Sequence, residues 1–463
     1  MRKGLHLGNP SLESALWLLK SPVSCHVWLP DATESIQPAV LTCKPRCTPL
    51  LDVGSRLIPC DATFWPSAVL SPVVHGITEQ NLPFTMVDVS GEDHGPMPGM
   101  GGQELHASYC LVGAHVTGTD LMFSRIRFAT TELASFIGRS PFVGTGGQLA
   151  RQDLSDLTFE LEAGTIAFGF ETELGGWGGQ ARPWIEIGIA EPLSFIEWID
   201  RWVQPFNRLV TFAAGKASDI VYLVRLESAK HGDHSHDAEC AVLGSGLSGD
   251  LDSIRVERSH RSGESWITAQ DVGAVWPSWT AVLAGLEVAI ELYLETVIRR
   301  GQLSARHRFL NLVQAAESVH SAKHRETKIP DADYRRQLAD ARAALTASSI
   351  AKPQGQFLRD HLVPGFGNGV RLDERLNDLR ARLHEHFQPA TERPSWLPQD
   401  REGKSWGEVT AHARNLVSHG RSDVPNDWLR SASDTLALIV ENEILDSLGL
   451  DAETCHALLH RRH

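Results

Sequence analysis

Apolar positions change their period along this chain, and the changes divide it. Residues 1–150 offer short apolar runs separated by Pro and Gly: Ser24 to Leu29, Ala39 to Thr42, Ala68 to Val74, Thr85 to Val89 and Tyr109 to Val116. Runs of that length between turn residues predict strands and loops. Asp93 to Gly102, rich in Gly, Pro and Met, reads as a flexible loop. Its glycines follow no strand-to-helix phosphate-loop pattern, so no nucleotide site is read there. Leu157 to Leu161 and Thr165 to Phe170 alternate apolar and polar residues around Ala163-Gly164, a hairpin signal, and Trp184 to Ile189 predicts a third strand. The period then switches. Phe195, Trp198, Ile199, Trp202, Phe206, Leu209 and Val210 recur at steps of three and four, predicting an amphipathic helix over 192–214, kinked or restarted at Pro205. An aromatic stripe at helical spacing reads as core rather than as a base-stacking surface. Ile220 to Leu226 predicts a strand. His231, His234, His236 and Cys240 follow in a segment rich in Gly, Ser and Asp, read as a solvated loop rather than a metal tract.

From about residue 276 the pattern is helical. Helices are expected over Val282 to Arg299, with a start at Trp276-Pro277-Ser278, and over 304–325, 331–349 and 371–387. In the second, Phe309, Leu310, Leu312, Val313 and Ala316 should face inward. The prolines and glycine of 389–404 predict a loop; a helix beginning near Ser405, a long helix over 426–448 and a short tail helix complete the pattern. The expected fold class is α+β, with a β-rich domain over 1–270 and an all-α helical bundle over 271–463. No internal repeat, heptad run or low-complexity tract interrupts it.

Hydrophobic residues make up 42 %, ordinary for a globular chain, and no apolar run approaches bilayer length, so no membrane partner is expected. Ala15 to Leu19 is too short and too closely bracketed by Glu13 and Lys20 to make a good secretory signal, which points to the cytoplasm. The seven cysteines form no disulfide framework. Cys25, Cys43, Cys47 and Cys60 fit no zinc-ligand spacing and read as structural thiols. The net charge of −14 is uneven. Residues 1–275 carry 19 Lys and Arg against 32 Asp and Glu, and residues 276–463 carry 24 against 25. The acidic first part should repel RNA at long range, which suits a sensor or brake; a basic groove is expected only in the second. Arg299, Arg300, Arg306 and Arg308, and again Arg371, Arg375, Arg380 and Arg382, cluster there, though such runs are usually solvated helix faces.

One stretch carries chemistry: Arg414-Asn415-Leu416-Val417-Ser418-His419-Gly420. Trp406, Val409, Ala413, Leu416 and Val417 make the apolar face of its helix. Glu408, His412, Asn415 and His419 fall four, three and four apart and form a polar stripe on another face. Arg414 lies off the stripe, at the border of the apolar face. Gly420 is a helix-stop signal that places His419 in the last turn. An imidazole moves protons near neutral pH, and a guanidinium matches a phosphate. There is no strong nucleophile and no metal cage. RNA supplies its own nucleophile, the 2′-hydroxyl, so His419 as acid or base, Arg414 on the phosphate oxygens and Asn415 as orienting group would suffice for strand cleavage without a cofactor. DNA should resist.

The arrangement resembles the Arg-(four to six residues)-His motif of HEPN ribonucleases, here as Arg-Asn-x-x-x-His-Gly. The whole chain resembles ApeA-type proteins, which join a β-rich domain to a C-terminal HEPN domain. That resemblance rests on Val74-His75-Gly76-Ile77-Thr78, on Leu111-Val112-Gly113-Ala114-His115-Val116, on the run from Phe206 to Leu226, on Arg308 to Glu317 with His320, and on Arg414 to Gly420. It implies an anti-phage ribonuclease that shuts down an infected cell. It also implies a homodimer or higher homo-oligomer with two motifs facing in a composite site, no metal, and a phage-derived activator as a candidate partner. Glu408, His412, Glu317 and His320 are assigned supporting roles; for Glu317 and His320 the alternative is a pair that steadies helix packing. A rival reading makes the helical part a non-catalytic binding or dimerisation module of a phage-sensing protein, with Arg414 and His419 as interface residues. A nucleotidyl-modified HEPN partner is less favoured, because no nucleotidyltransferase signature is present.

Overall fold

The structure is a computed structural model that describes residues 12–59, 68–93, 101–117, 121–145, 148–175, 178–231, 234–257, 265–324, 327–347, 354, 369–387, 396–397, 403–421 and 424–462. The chain forms two compact units, Met1–Ala274 and Val275–His463. The first is β-rich and the second helical, so the fold is α+β.

The first unit contains β1 (Val23–Trp28), β2 (Gln37–Thr42), β3 (Leu50–Val53), β4 (Ala68–Thr78), β5 (Pro83–Asp93), β6 (Gln103–Val112), β7 (Phe123–Thr130), β8 (Phe142–Thr145), β9 (Gln148–Arg151), β10 (Thr158–Leu161), β11 (Gly164–Gly175), β12 (Gly178–Leu193), β13 (Ile220–His231), β14 (His234–Gly244) and β15 (Val256–Glu257). Six of them close on themselves in the order β6–β3–β2–β1–β4–β5 and back to β6. Closure removes the exposed edges that an open sheet would leave. Strand β6 serves two neighbours on one side. Gln103 to His106 face β3, and Tyr109 to Val112 face β14. From β14 the sheet runs on through β13, β7, β12, β11 and β10. Alternation explains the closed part: in β1, Val23, Cys25 and Val27 are buried, and Ser24 and His26 exposed.

The predicted hairpin is β10–β11, and β12 is the third strand. The predicted amphipathic helix is present in three segments. Ser194 caps Phe195–Trp198 through a reciprocal box with Glu197, Ile199–Val203 widens into a π turn, and Gln204–Ala214 resumes the α-helix. Pro205 has no N–H for the carbonyl one turn back, and the wider turn before it absorbs the mismatch. Its aromatic stripe is core: Trp198 and Phe206 are fully buried, and Phe195 and Trp202 are buried too.

The expected solvated loop after Leu226 is instead a long hairpin. Strands β13 and β14 pair from Leu223 opposite Val242 to His231 opposite His234. The short-range pattern hides this strand, because His, Asp and Ser interleave with its apolar positions. Cross-strand partners β13 and β6 define it instead. Residues 94–100, within the expected Gly-rich loop, lie outside the described residues.

Seven helices of the second unit are labelled here. They are α1 (Val272–Ile298), whose first turn holds the unit boundary, α2 (Ala305–Lys323), α3 (Asp331–Ala347), α4 (Leu372–Arg382), α5 (Trp406–Ser418), α6 (Asn426–Ser447) and α7 (Ala452–Arg462). Helix α1 begins well before Val282 because the Thr268–Asp271 capping box starts a 3₁₀ turn that runs straight into it, taking Pro277 inside. Leu286 departs from helical dihedrals and bends it. Helix α6 packs on α2, and α5 packs on α4 and α2. Phe309, Leu312, Val313 and Ala316 of α2 face the core as expected, whereas Leu310 is only half-buried. Most of the expected 389–404 loop lies outside the described residues.

Candidate functional site

The motif helix α5 is built firmly at its start. The Ser405 hydroxyl accepts the Glu408 N–H at 3.3 Å, and the Glu408 carboxylate accepts the Ser405 N–H at 2.9 Å. This reciprocal box satisfies two backbone donors that would otherwise be orphaned. Asn377 of α4 satisfies another: its side-chain oxygen accepts the Gly407 N–H at 2.9 Å, while its amide donates to the Ser405 hydroxyl at 2.8 Å. The approach is so close that a Cβ on Gly407 would lie 2.3 Å from the Asp373 carbonyl oxygen. Val409, Thr410, Ala413 and Val417 bury the inner face.

Its end is equally defined. Gly420 adopts φ +70°, its N–H donates to the Val417 carbonyl at 3.1 Å, and the Arg421 N–H donates to Leu416 at 3.0 Å. Those two bonds are the Schellman pattern, which favours Gly at this left-handed position. His419 is thus the C-cap, and it is exposed.

Glu408, His412 and Asn415 share one side of α5 and line a polar, open cleft of about 310 Å³ with Asp373 and Lys404. The His412 ring lies parallel to Trp396 at 6.3 Å. Neither Arg414 nor His419 lines that cleft. At about 100° per residue, Arg414 stands about 140° round the helix from His419. The half-buried Arg414 guanidinium nevertheless reaches back toward the stripe and donates to the Asn415 side-chain oxygen at 3.4 Å. Among the described residues Arg414 makes no ion pair.

The remaining assigned residues differ in character. Lys404 donates to Glu408 at 2.6 Å. That bond first, and the Ser405 amide second, hold the Glu408 carboxyl down at about 2. A carboxylate so stabilised is a poor proton carrier near neutral pH. His320 of α2 is buried, and its partner is Asp378 of α4 at 3.3 Å rather than Glu317. Desolvation is the main cause that lowers the His320 pKa, with His324 next. Glu317 is half-buried on the same helix, and neither residue lines the cleft.

Several arginines of the two clusters are engaged within the chain. Arg299 faces Glu295 at 3.4 Å, Arg308 faces Asp434 at 2.8 Å, Arg371 faces Asp373 at 2.8 Å and Arg382 faces Asp378 at 3.1 Å. Cys25 and Cys43 are buried and Cys47 is exposed; Cys60 lies outside the described residues. Among the described residues no three His, Cys, Asp or Glu side chains converge as a ready-made metal site. No described helix is long and apolar enough to cross a membrane. Sequence reasoning missed Asn377, Asp373 and Lys404. Only Lys404, four residues before Glu408, left a local signal.

The β-rich unit supplies the comparison that matters. The family description ApeA N-terminal domain 1 matches residues 25–242. This unit is ApeA-like. The match runs from β1 to β14 and so includes the whole closed ring together with β7, β12 and β13. Both histidines of the quoted motifs are structural elements of the ApeA-like unit. His75 Nε2 donates to the Val116 carbonyl at 3.1 Å, His115 Nε2 donates to the Gly76 carbonyl at 2.8 Å, and the two rings stack at 5.0 Å. Among curated proteins and among solved structures, nothing matches the chain.

Proposed function

We propose that the chain is a metal-independent RNA endonuclease of the HEPN type, acting in anti-phage defence, with its ApeA-like unit as sensor or brake. The 2′-hydroxyl attacks the adjacent phosphorus and the 5′-oxygen leaves. His419 takes or gives the proton, Arg414 stabilises charge on the phosphate oxygens, and Asn415 orients one of them. The observation that carries this reading is the state of the motif. His419 is exposed at a rigidly capped helix end, and Arg414 reaches Asn415 without engaging an acid among the described residues. A role for Arg414 as a partner of a surface acid is thereby disfavoured. The 140° separation supports the expectation that two copies combine, each offering one of the two groups to a shared strand. The cleft beside Lys404, His412 and Asn415 is a suitable place for a flanking nucleotide.

The test is a substrate change. An RNA cut by the purified chain is remade with a single 2′-deoxy residue on the 5′ side of the mapped break. Cleavage there should stop while other sites continue. Continued cutting at the deoxy position would remove the 2′-hydroxyl mechanism.

A further inference from the structure

Four histidines, none of them a motif residue, meet between α7 and the turn that follows α4. His456 and His460 are four residues apart on α7, so both rings lie on one helix face. His384 and His386 flank Glu385 at the 3₁₀ turn Glu385–Phe387 that follows α4. Ring centres are 4.1 Å apart for His384 and His456, 5.8 Å for His386 and His460, 6.3 Å for His456 and His460, and 6.5 Å for His386 and His456. Two imidazoles bound at about 2.0–2.1 Å to one tetrahedral ion have ring centres roughly 5 Å apart, so the 4.1 Å pair must open and the 6.3 and 6.5 Å pairs must close for one ion to hold them. The Nε2 of His456 is buried with no hydrogen-bond partner among the described residues. A buried polar atom without a partner is costly, and a cation at this point would satisfy it.

We propose that His384, His386, His456 and His460 form a binding site for a divalent transition-metal ion of the zinc class, which clips α7 to the turn after α4. The rings as placed do not yet converge on one point. His384, His386 and His460 are exposed, so side-chain rotation can bring them in. His384 Nδ1 accepts the His386 N–H at 3.2 Å, which puts its ring proton on Nε2; binding the ion through Nε2 requires that bond to break and the proton to move to Nδ1. The clip is independent of the nuclease reading, since no metal takes part in that chemistry.

The experiment uses the full chain, stripped with chelator and titrated with zinc chloride by calorimetry, with cobalt(II) absorption as a second readout. One ion per chain is expected, with the intense visible bands of tetrahedral cobalt and a zinc-dependent rise in unfolding temperature. His456→Gln with His460→Gln should weaken uptake about tenfold or more and abolish the temperature rise. A His384→Gln variant, altered only at an exposed turn, should weaken uptake in the same direction and covers the case in which the double variant misfolds. Replacing His231, His234 and His236 by Gln should leave uptake unchanged. Absence of uptake, uptake unaltered by loss of the α7 or turn histidines, or uptake lost with the His231–His236 set would each overturn the proposal.

Discussion

The two units hold their histidines in opposite ways. In the ApeA-like unit, His75 and His115 stack on each other and each gives its Nε2 proton to a backbone carbonyl of the other's segment. Trp28 edges onto both rings. His75 is buried and His115 exposed, and in both rings the Nε2 is committed to a backbone carbonyl. In the helical unit, His419 ends a helix that is locked at both ends, and its imidazole is open to solvent. Buried polar groups in a fold are normally satisfied within it, so a rigidly mounted group left open is the better candidate for external chemistry. The two motifs thus differ in setting: one is tied to the backbone of its own unit, and the other, the one proposed for chemistry, ends a helix with its imidazole exposed.

The sharpest way to break this contrast is to remove Arg414. Arg414→Ala should lower RNA cleavage by about 10²–10³-fold, as for loss of a donor to a developing oxyanion. Unfolding stability should change by no more than about 0.5 kcal/mol, as at other surface positions. A variant that unfolds readily would make Arg414 structural and erase the distinction between the units.

A change to the helical core should do the reverse. Glu441 is almost fully buried, accepts a hydrogen bond from Tyr293 and faces Arg462 at 2.9 Å. Glu441→Ala leaves the guanidinium without its anion and should cost about 3–5 kcal/mol in urea unfolding. A loss below about 1 kcal/mol would show that water reaches Arg462 instead.

At the start of the motif helix, Gly407→Ala forces α5 away from α4 by crowding the Asp373 carbonyl. A loss of about 1–3 kcal/mol is expected from overpacking, with Ser405→Ala costing about 1 kcal/mol through the lost cap. If cleavage survives the first substitution unchanged, the docking of α5 on α4 does not position the site.

The smallest effect concerns pH. Desolvation, opposed by the bond to Gly76, lowers the His115 pKa in the folded chain. A group whose folded pKa lies below its unfolded value binds more protons when unfolded, so its contribution is present above about pH 6.5 and fades as the pH falls. Stability should therefore decline on acidification through that range, and His115→Gln should flatten the slope. An unchanged slope would mean that His115 does not contribute to it.

Much of this fold was legible in the sequence, where one face of an element meets the core. The β10–β11 hairpin, the helix with its aromatic stripe and the motif helix with its Ser405 cap all announce themselves through period and capping residues. Strand β14 did not, because His, Ser and Asp interrupt the apolar pattern of its first half and one of its two partners, β6, lies far away in the chain. The site divided in the same way. The stripe of Glu408, His412 and Asn415 follows from helical geometry, whereas Asn377 and Asp373 come from α4, and no local pattern ties them to α5. His320 illustrates the opposite error: Glu317, three residues before it, suggests a pair, but packing gives the histidine to Asp378 instead.

The most direct test is the chemistry of the cut ends. Total RNA is taken from phage-challenged cells expressing the wild-type chain or His419→Ala, and new termini are mapped by their end groups. The expected result is 5′-hydroxyl ends facing 2′,3′-cyclic phosphate or 3′-phosphate ends, present with the wild type and absent with His419→Ala although that variant folds. Termini bearing 3′-hydroxyl and 5′-phosphate, the same breaks in both strains, or no new breaks with the wild type would contradict the assignment of Arg414 and His419 as a ribonuclease centre.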